Sequence, residues 1–265
     1  MGQSMPSGYS SVTPHPDVNR ILSDLVPGIC AVLGADLIGL YLDGSLARGD
    51  FDAASDIDFV AVTREMVSAA QFEALRALHD RIAAGGENLA LEIEGFYVPL
   101  AALRGPGAPD LICPNLERGP GERLKRIPLG PGWVVHRWVL HEYAIVLSGP
   151  HPGEIGDPIT AVDLKDAMRQ ILASWATRIV DHPAVLRHSG YQAYAILSIC
   201  RILYTLAHGT IVSKAAAAAW ARQALEPRWA AGIEAALATR LAARGDATPE
   251  QTAAAESFIR FAIGG

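Results

Sequence analysis

Asp56 and Asp58 stand one residue apart in the run Asp56-Ile57-Asp58-Phe59-Val60-Ala61-Val62-Thr63. In an extended chain, residues two apart point to the same side, so these carboxylates converge and can hold hard, oxygen-seeking cations such as magnesium. Such a pair suffices for two magnesium ions bridged by a triphosphate. Ten residues separate it from Gly44-Ser45. There the glycine lets backbone amides approach a ligand closely and the serine adds a hydroxyl donor, a combination suited to nucleotide phosphates. A third acid is needed to complete a metal cage or to deprotonate an attacking hydroxyl. Glu92 and Glu94 supply one on a common face of a later apolar run, and their positions alone leave open which of the two it is.

The elements that must hold these residues follow from periodicity. Apolar positions from Val18 to Leu33 recur at three and four residues after Asp17, which predicts a helix from Pro16 to Leu33 bent near Pro27. Leu37 to Leu42 reads as a buried strand that runs into the Asp43-Gly44-Ser45 turn, and Asp56 to Thr63 as a second strand. Val67 to Ala84 has helical spacing, and Ala90 to Val98 reads as a third strand carrying Glu92 and Glu94. From 99 to 133 prolines and glycines interleave, which predicts a long irregular loop. A strand or a helix resumes over Trp133 to Leu147, and Gly149-Pro150-His151-Pro152-Gly153 has the composition of a linker. Beyond it, Asp163 to Ile179, Gln192 to Ala207, Ser213 to Ala224, Pro227 to Arg244 and Pro249 to Ile263 all carry helical periodicity, with Gly209 as a C-cap. The expected fold class is α+β: a mixed sheet with helices over residues 1–150, then a helical bundle over 151–265.

The segment Gly39 to Thr63, GLYLDGSLARGDFDAASDIDFVAVT, resembles the Gly-Ser…Asp-x-Asp signature of polymerase-β nucleotidyltransferases. Within that superfamily it is similar to the aminoglycoside adenylyltransferases active on streptomycin and spectinomycin. Ala90-Leu91-Glu92-Ile93 resembles a second segment of that family, Ala-Leu-Glu-Val, whose glutamate is the catalytic base. The resemblance thus implies Glu92 rather than Glu94, with Asp56, Asp58 and Glu92 as metal ligands and Gly44, Ser45 and Ser55 beside the nucleotide. Leu197 to Tyr204, Gly209 to Lys214 and Ala219 to Ala221 track the family's helical C-terminal domain. That match implies Arg201 and Lys214 as side chains that reach nucleotide phosphates. The implied reaction is transfer of an adenylyl group from ATP, with two magnesium ions, to a hydroxyl of a small molecule, with release of pyrophosphate. Alternatives of other kinds are adenylylation of a protein partner and nucleotide binding without catalysis.

One feature departs from the resemblance. The family carries an acidic residue for the cationic antibiotic just ahead of the helix bearing Arg201, whereas here that stretch reads Leu186-Arg187-His188-Ser189-Gly190-Tyr191-Gln192. The 99–133 segment also brings Arg118, Arg123, Lys125 and Arg126. In bulk, the chain is 50% hydrophobic with a net charge of -6, which argues for a packed core and against an electrostatic grip on long nucleic acid. The three cysteines, Cys30, Cys113 and Cys200, are widely spaced and point to neither a disulfide framework nor a zinc site. The first twenty residues lack the apolar core of a signal peptide and read as a loose tail, and no apolar run approaches a membrane span. A cytoplasmic protein is expected.

Overall fold

The computed structural model describes residues 12–85, 88–105, 108–242 and 245–264. The first eleven residues, most of the expected tail, lie outside them. The chain divides into two compact units, the first ending at Pro158 and the second beginning at Ile159.

The first unit is built on one six-stranded sheet: β1 (Leu37–Leu42), β2 (Ile57–Thr63), β3 (Ile93–Pro99), β4 (Ile112–Leu116), β5 (Lys125–Pro128) and β6 (Ile145–Ser148). The strand order is β5-β4-β3-β2-β1-β6. Among the described strands, β2 and β3 run parallel and the other neighbours pair antiparallel, so the sheet is mixed as expected. Both faces are covered. On one, Leu40, Leu42, Ile57, Phe59, Ala61, Ile93 and Tyr97 pack under α1 (Pro16–Leu33) and α3 (Ala69–Ala83). On the other, Tyr41, Val60, Val62, Phe96 and Val98 pack with Trp133 and Leu140 of α4 (Trp133–Tyr143). Two-sided burial explains why β1 and β2 read as nearly continuous apolar runs. It also makes Asp58 informative, because alternation puts its side chain on the α4-covered face, at the end of a row continued by Val60 and Val62.

α1 is long and apolar enough to cross a membrane by composition. However, Val18, Leu22, Leu25, Val26 and Ile29 are fully buried in the core of this unit, and the helix packs on α3. It is a core helix. Ser68 and Gln71 close a reciprocal capping box that fixes the start of α3.

His79 of α3 is 4% exposed between Phe59 and Tyr97, its Nε2 2.7 Å from the Tyr97 hydroxyl. Burial pushes its pKa down to about 4. The folded chain therefore keeps His79 neutral while the unfolded chain protonates it near pH 6.5, so stability falls as pH drops from 6.5 toward 4. The full loss amounts to about 3 kcal/mol. In His79→Gln, which keeps a polar partner for Tyr97, the urea midpoint should decline less over that range than in the wild type. Parallel decline in both proteins would exclude His79 as the cause.

Several expectations are corrected. The 99–133 segment is not a structureless loop; it contains β4 and β5, and the prolines are tolerated because Pro114 and Pro128 lie in the last two strands at one side of the sheet. Trp133 to Leu147 is neither strand nor helix throughout, since α4 ends at Tyr143 and β6 follows. Gly44-Ser45 opens a short helix, α2 (Gly44–Arg48), in place of a bare turn. Strand three begins at Ile93, not Ala90, because Asn88–Glu92 coils into a 3-10 turn. Glu92 therefore sits outside the alternation that was to place it beside Glu94.

The stretch expected as linker is fastened to the first unit. Tyr41 donates its hydroxyl to the Pro150 carbonyl, α5 (Pro152–Ile155) packs on α4, and Arg137 donates to the carbonyls of Leu103, Gly105 and Asp157.

The second unit is the expected helical bundle. It comprises α6 (Ala161–Ile171), which continues through a π turn into α7 (Thr177–Asp181), then α8 (Ser189–His208), α9 (Lys214–Ala224), α10 (Ala230–Arg240) and α11 (Pro249–Gly264). α8 is central, in contact with α6, α9, α10 and α11. It buries Ala195, Leu197, Ile199 and Cys200 completely, as an internal helix should. Gly209 ends it in the left-handed conformation, at φ 70°. The helix expected to reach 244 ends at Arg240, and residues 243 and 244 lie outside the described ones.

Candidate active site

Asp56 precedes β2 and Asp58 is its second residue. The residue between them, Ile57, is fully buried on the α1 and α3 side, which anchors the strand and turns both aspartates to the opposite face. In the parallel pairing of β2 with β3, Asp58 lies opposite Glu94. Asp56, Asp58 and Glu94 each offer a carboxylate oxygen within 4.8 Å of the others. All three are partly buried. Burial, and then the negative charge of Asp56, raise the pKa of Glu94. Three acids so placed repel one another, and a divalent cation among them turns that repulsion into ligation.

The Gly44-Ser45 segment closes over this cluster. Asp43 donates its backbone N–H to the Asp58 carbonyl at 2.9 Å. A Cβ at Gly44 would lie 1.8 Å from Asp58 Oδ2, and φ there is 60°. Only glycine fits, because both the close approach and the left-handed backbone exclude a side chain. The Ser45 hydroxyl is buried with no protein partner among the described residues. An orphaned hydroxyl beside clustered carboxylates fits a site that holds a metal and an anionic ligand.

Ser55 is differently engaged. Its hydroxyl donates to Asp52 Oδ1 at 3.1 Å and accepts from the Asp52 N–H at 3.0 Å. Ser55 thus ties off the turn that delivers Asp56, rather than presenting a free hydroxyl to a nucleotide.

The glutamate favoured by resemblance lies beside this trio rather than in it. Glu92, at the end of its 3-10 turn, is 3.5 Å from Nη1 of Arg118, and the same Nη1 is 3.4 Å from Asp56. The structure therefore brings Glu94 into the cluster with Asp56 and Asp58, and links Glu92 to Asp56 through a guanidinium.

Sequence reasoning missed a fourth acid. Asp43, 1% exposed, receives His136 Nδ1 on its Oδ2 at 2.5 Å, and its Oδ1 has no partner among the described residues. His136 comes from α4, packed against Phe96 and Trp133, and its charge helps offset the rise in the Glu94 pKa. Asp43 adjoins the Gly-Ser pair, so proximity in sequence could have flagged it. His136 is 93 positions away, and only the packing of α4 on α2 reveals the pair.

In the second unit, Arg201 lies on α8 and Lys214 opens α9, whose N-cap Ser213 accepts from the Ala216 N–H. The Lys214 ammonium lies 4.8 Å from the centre of the Tyr194 ring. On the same two helices, Trp220 meets Tyr204 and His208 edge-on. Trp138 of α4 is only 9% exposed, its ring 5.6 Å from that of Tyr143.

Both halves of the chain are similar to known proteins. Residues 23–95 match the nucleotidyltransferase domain family, and residues 154–264 match the aminoglycoside adenylyltransferase C-terminal domain family. The aminoglycoside (3'') (9) adenylyltransferase of Escherichia coli is 24% identical over 255 residues, 94% of either chain. Its counterpart in Shigella flexneri is 26% identical, covering 80% of this chain and 81% of that one. Among solved structures, a spectinomycin adenyltransferase from Enterococcus faecialis, determined with ATP and spectinomycin, superposes with a TM-score of 0.74 at 16% identity. That match covers 93% of this chain and 99% of the other. The resemblance read from the sequence is thus borne out in both halves of the chain.

Proposed function

We propose that this chain is an adenylyltransferase that moves the adenylyl group of ATP onto a hydroxyl of a small molecule, with aminoglycoside-type antibiotics as the first acceptors to test. The observation that carries this reading is the convergence of Asp56, Asp58 and Glu94 within 4.8 Å under the Gly44-Ser45 segment. Kinship supports it in both halves, and the ATP and spectinomycin of the structural neighbour indicate what to supply.

Asp56, Asp58 and Glu94 are the residues that would hold magnesium, two ions by the resemblance. When bound, magnesium supplies positive charge against the triphosphate and its developing negative charge. The Gly44 backbone and the Ser45 hydroxyl face the phosphates. Glu92 accepts the proton of the acceptor hydroxyl. That oxygen bonds to the α-phosphorus, the bond from the α-phosphorus to its bridging oxygen breaks, and pyrophosphate leaves. Arg201 and Lys214 contribute cationic donors to the nucleotide in this reading. We assign the protein to the cytoplasm, where ATP is available.

The test is incubation of the purified chain with magnesium, ATP labelled at the α-phosphate, and spectinomycin, streptomycin and neutral aminocyclitols in parallel. The expected result is labelled acceptor with equimolar pyrophosphate. Label appearing only on protein would replace the small-molecule reading with protein adenylylation. Failure to bind ATP or to transfer label to anything would refute nucleotidyl transfer.

A further inference from the structure

Arg118 follows β4, and its backbone neighbourhood is pinned: the N–H of Gly119 donates to the Leu91 carbonyl at 2.7 Å, next to Glu92. The other basic residues of this segment are engaged elsewhere. Arg123 pairs with Asp80, Lys125 with Glu117 and Glu122, and Arg126 lies over the Phe72 ring. Arg118 alone among these four reaches the carboxylates of the site, through one nitrogen shared between Asp56 at 3.4 Å and Glu92 at 3.5 Å. Its side chain is 27% exposed, against 25% for Asp56 and 34% for Glu92. A single shared nitrogen at such distances is a looser arrangement than the parallel two-bond fork a guanidinium makes with a well-matched carboxylate. It holds the cation at the site without locking it there.

We propose that Arg118 competes with the divalent cation for Asp56 and, once displaced, serves as the first unit's own cationic donor to the phosphates, beside the Ser45 hydroxyl. The inference rests on the reading of the site given above. A divalent ion on Asp56 repels a guanidinium only a few ångströms away and neutralises the carboxylate that attracted it. The triphosphate then offers the densest negative charge within reach of a side chain whose backbone is fixed beside Leu91. A planar guanidinium suits phosphate oxygens as well as carboxylates. Arg118 thus balances the acid cluster before loading and donates to the nucleotide after it, while Glu92, freed of its partner, becomes available to take a proton.

The two roles leave opposite signatures in one variant, which a merely structural arginine would not produce. Manganese binding to the full chain, followed by electron paramagnetic resonance without nucleotide, should tighten about threefold or more in Arg118→Ala because a competing charge is gone. In the same variant, kcat/KM for ATP should fall about tenfold or more. Arg118→Lys should lie between the wild type and Arg118→Ala on both measures, since it keeps the charge but not the fork. Manganese affinity that is unchanged or weaker in Arg118→Ala overturns the competition. Tighter manganese binding with unaltered ATP kinetics overturns the phosphate role. If Arg118→Ala loses its cooperative thermal transition, Arg118→Gln carries the same comparison. A wild type that neither binds manganese nor transfers adenylate would instead be a failure of the proposed function, so the two failures are separable.

Discussion

Asp58→Asn is expected to abolish adenylyl transfer, lowering kcat about a thousandfold or more, while the protein folds as before. Asparagine has nearly the shape of aspartate, so it still fits beneath Gly44, whose lack of a Cβ leaves room for the side chain at 58. The hydrogen bond from Asp43 to residue 58 goes to the backbone carbonyl and survives the change. What disappears is one of three negative charges lying within 4.8 Å, and with it the site's main attraction for a divalent cation. Removing a like charge also relieves repulsion of Asp56 and Glu94, so the metal-free variant should melt at or above the wild-type temperature. Magnesium with ATP should raise the wild-type melting temperature by mass action, because a ligand bound only to the folded state stabilises it. The variant should show no such rise. Single-turnover label transfer and melting curves with and without magnesium and ATP report both effects. Retention of more than a tenth of the wild-type rate would remove Asp58 from the metal site.

The acidic pair was legible because its signal is local. Two aspartates at strand spacing, an isoleucine between them that belongs to the core, and a Gly-Ser pair shortly before are all visible in one stretch of chain. The helical second half was legible for the same reason, with Gly209 marking the end of α8 as read. What escaped depends on contacts between distant segments or on a small change of local conformation. The proline-rich stretch hid β4 and β5, since proline argues against strands unless they lie toward the side of a sheet, and position in the sheet is set by tertiary pairing. His136 could not be joined to Asp43 without knowing that α4 packs on α2. The third strand starts later than its apolar pattern implies, so that Glu94 lies in β3 and Glu92 just before it, next to Asp56 through Arg118. Alternation holds only while the chain is extended, and the 3-10 turn through Asn88–Glu92 stops it one residue short of Ile93.

The later start of β3 leads to the last prediction, which assigns the two glutamates separate tasks. Glu94→Gln removes a carboxylate that the β2 and β3 pairing places opposite Asp58. It should raise the magnesium concentration needed for half-maximal rate about tenfold or more, because ligand charge sets affinity at oxygen sites. The same change deletes a charge whose pKa burial and Asp56 both push upward, so the metal-free protein should gain stability rather than lose it. Glu92→Gln touches none of the three clustered carboxylates. It should leave the magnesium requirement close to wild type and lower kcat by about a hundredfold to ten-thousandfold, the range of a lost general base. The two variants therefore separate on a plot of rate against magnesium: Glu94→Gln shifts the curve along the concentration axis, and Glu92→Gln lowers its plateau. Should the shift belong to Glu92→Gln and the lowered plateau to Glu94→Gln, the kinship assignment of Glu92 as base and the geometric assignment of Glu94 as ligand both fall together. If Glu94→Gln changes neither measure, the third ligand is Glu92. Arg118 would then have to release Glu92 as well as Asp56 before metal could bind, and the magnesium requirement of Arg118→Ala should drop further than removal of one competing charge from Asp56 alone would produce.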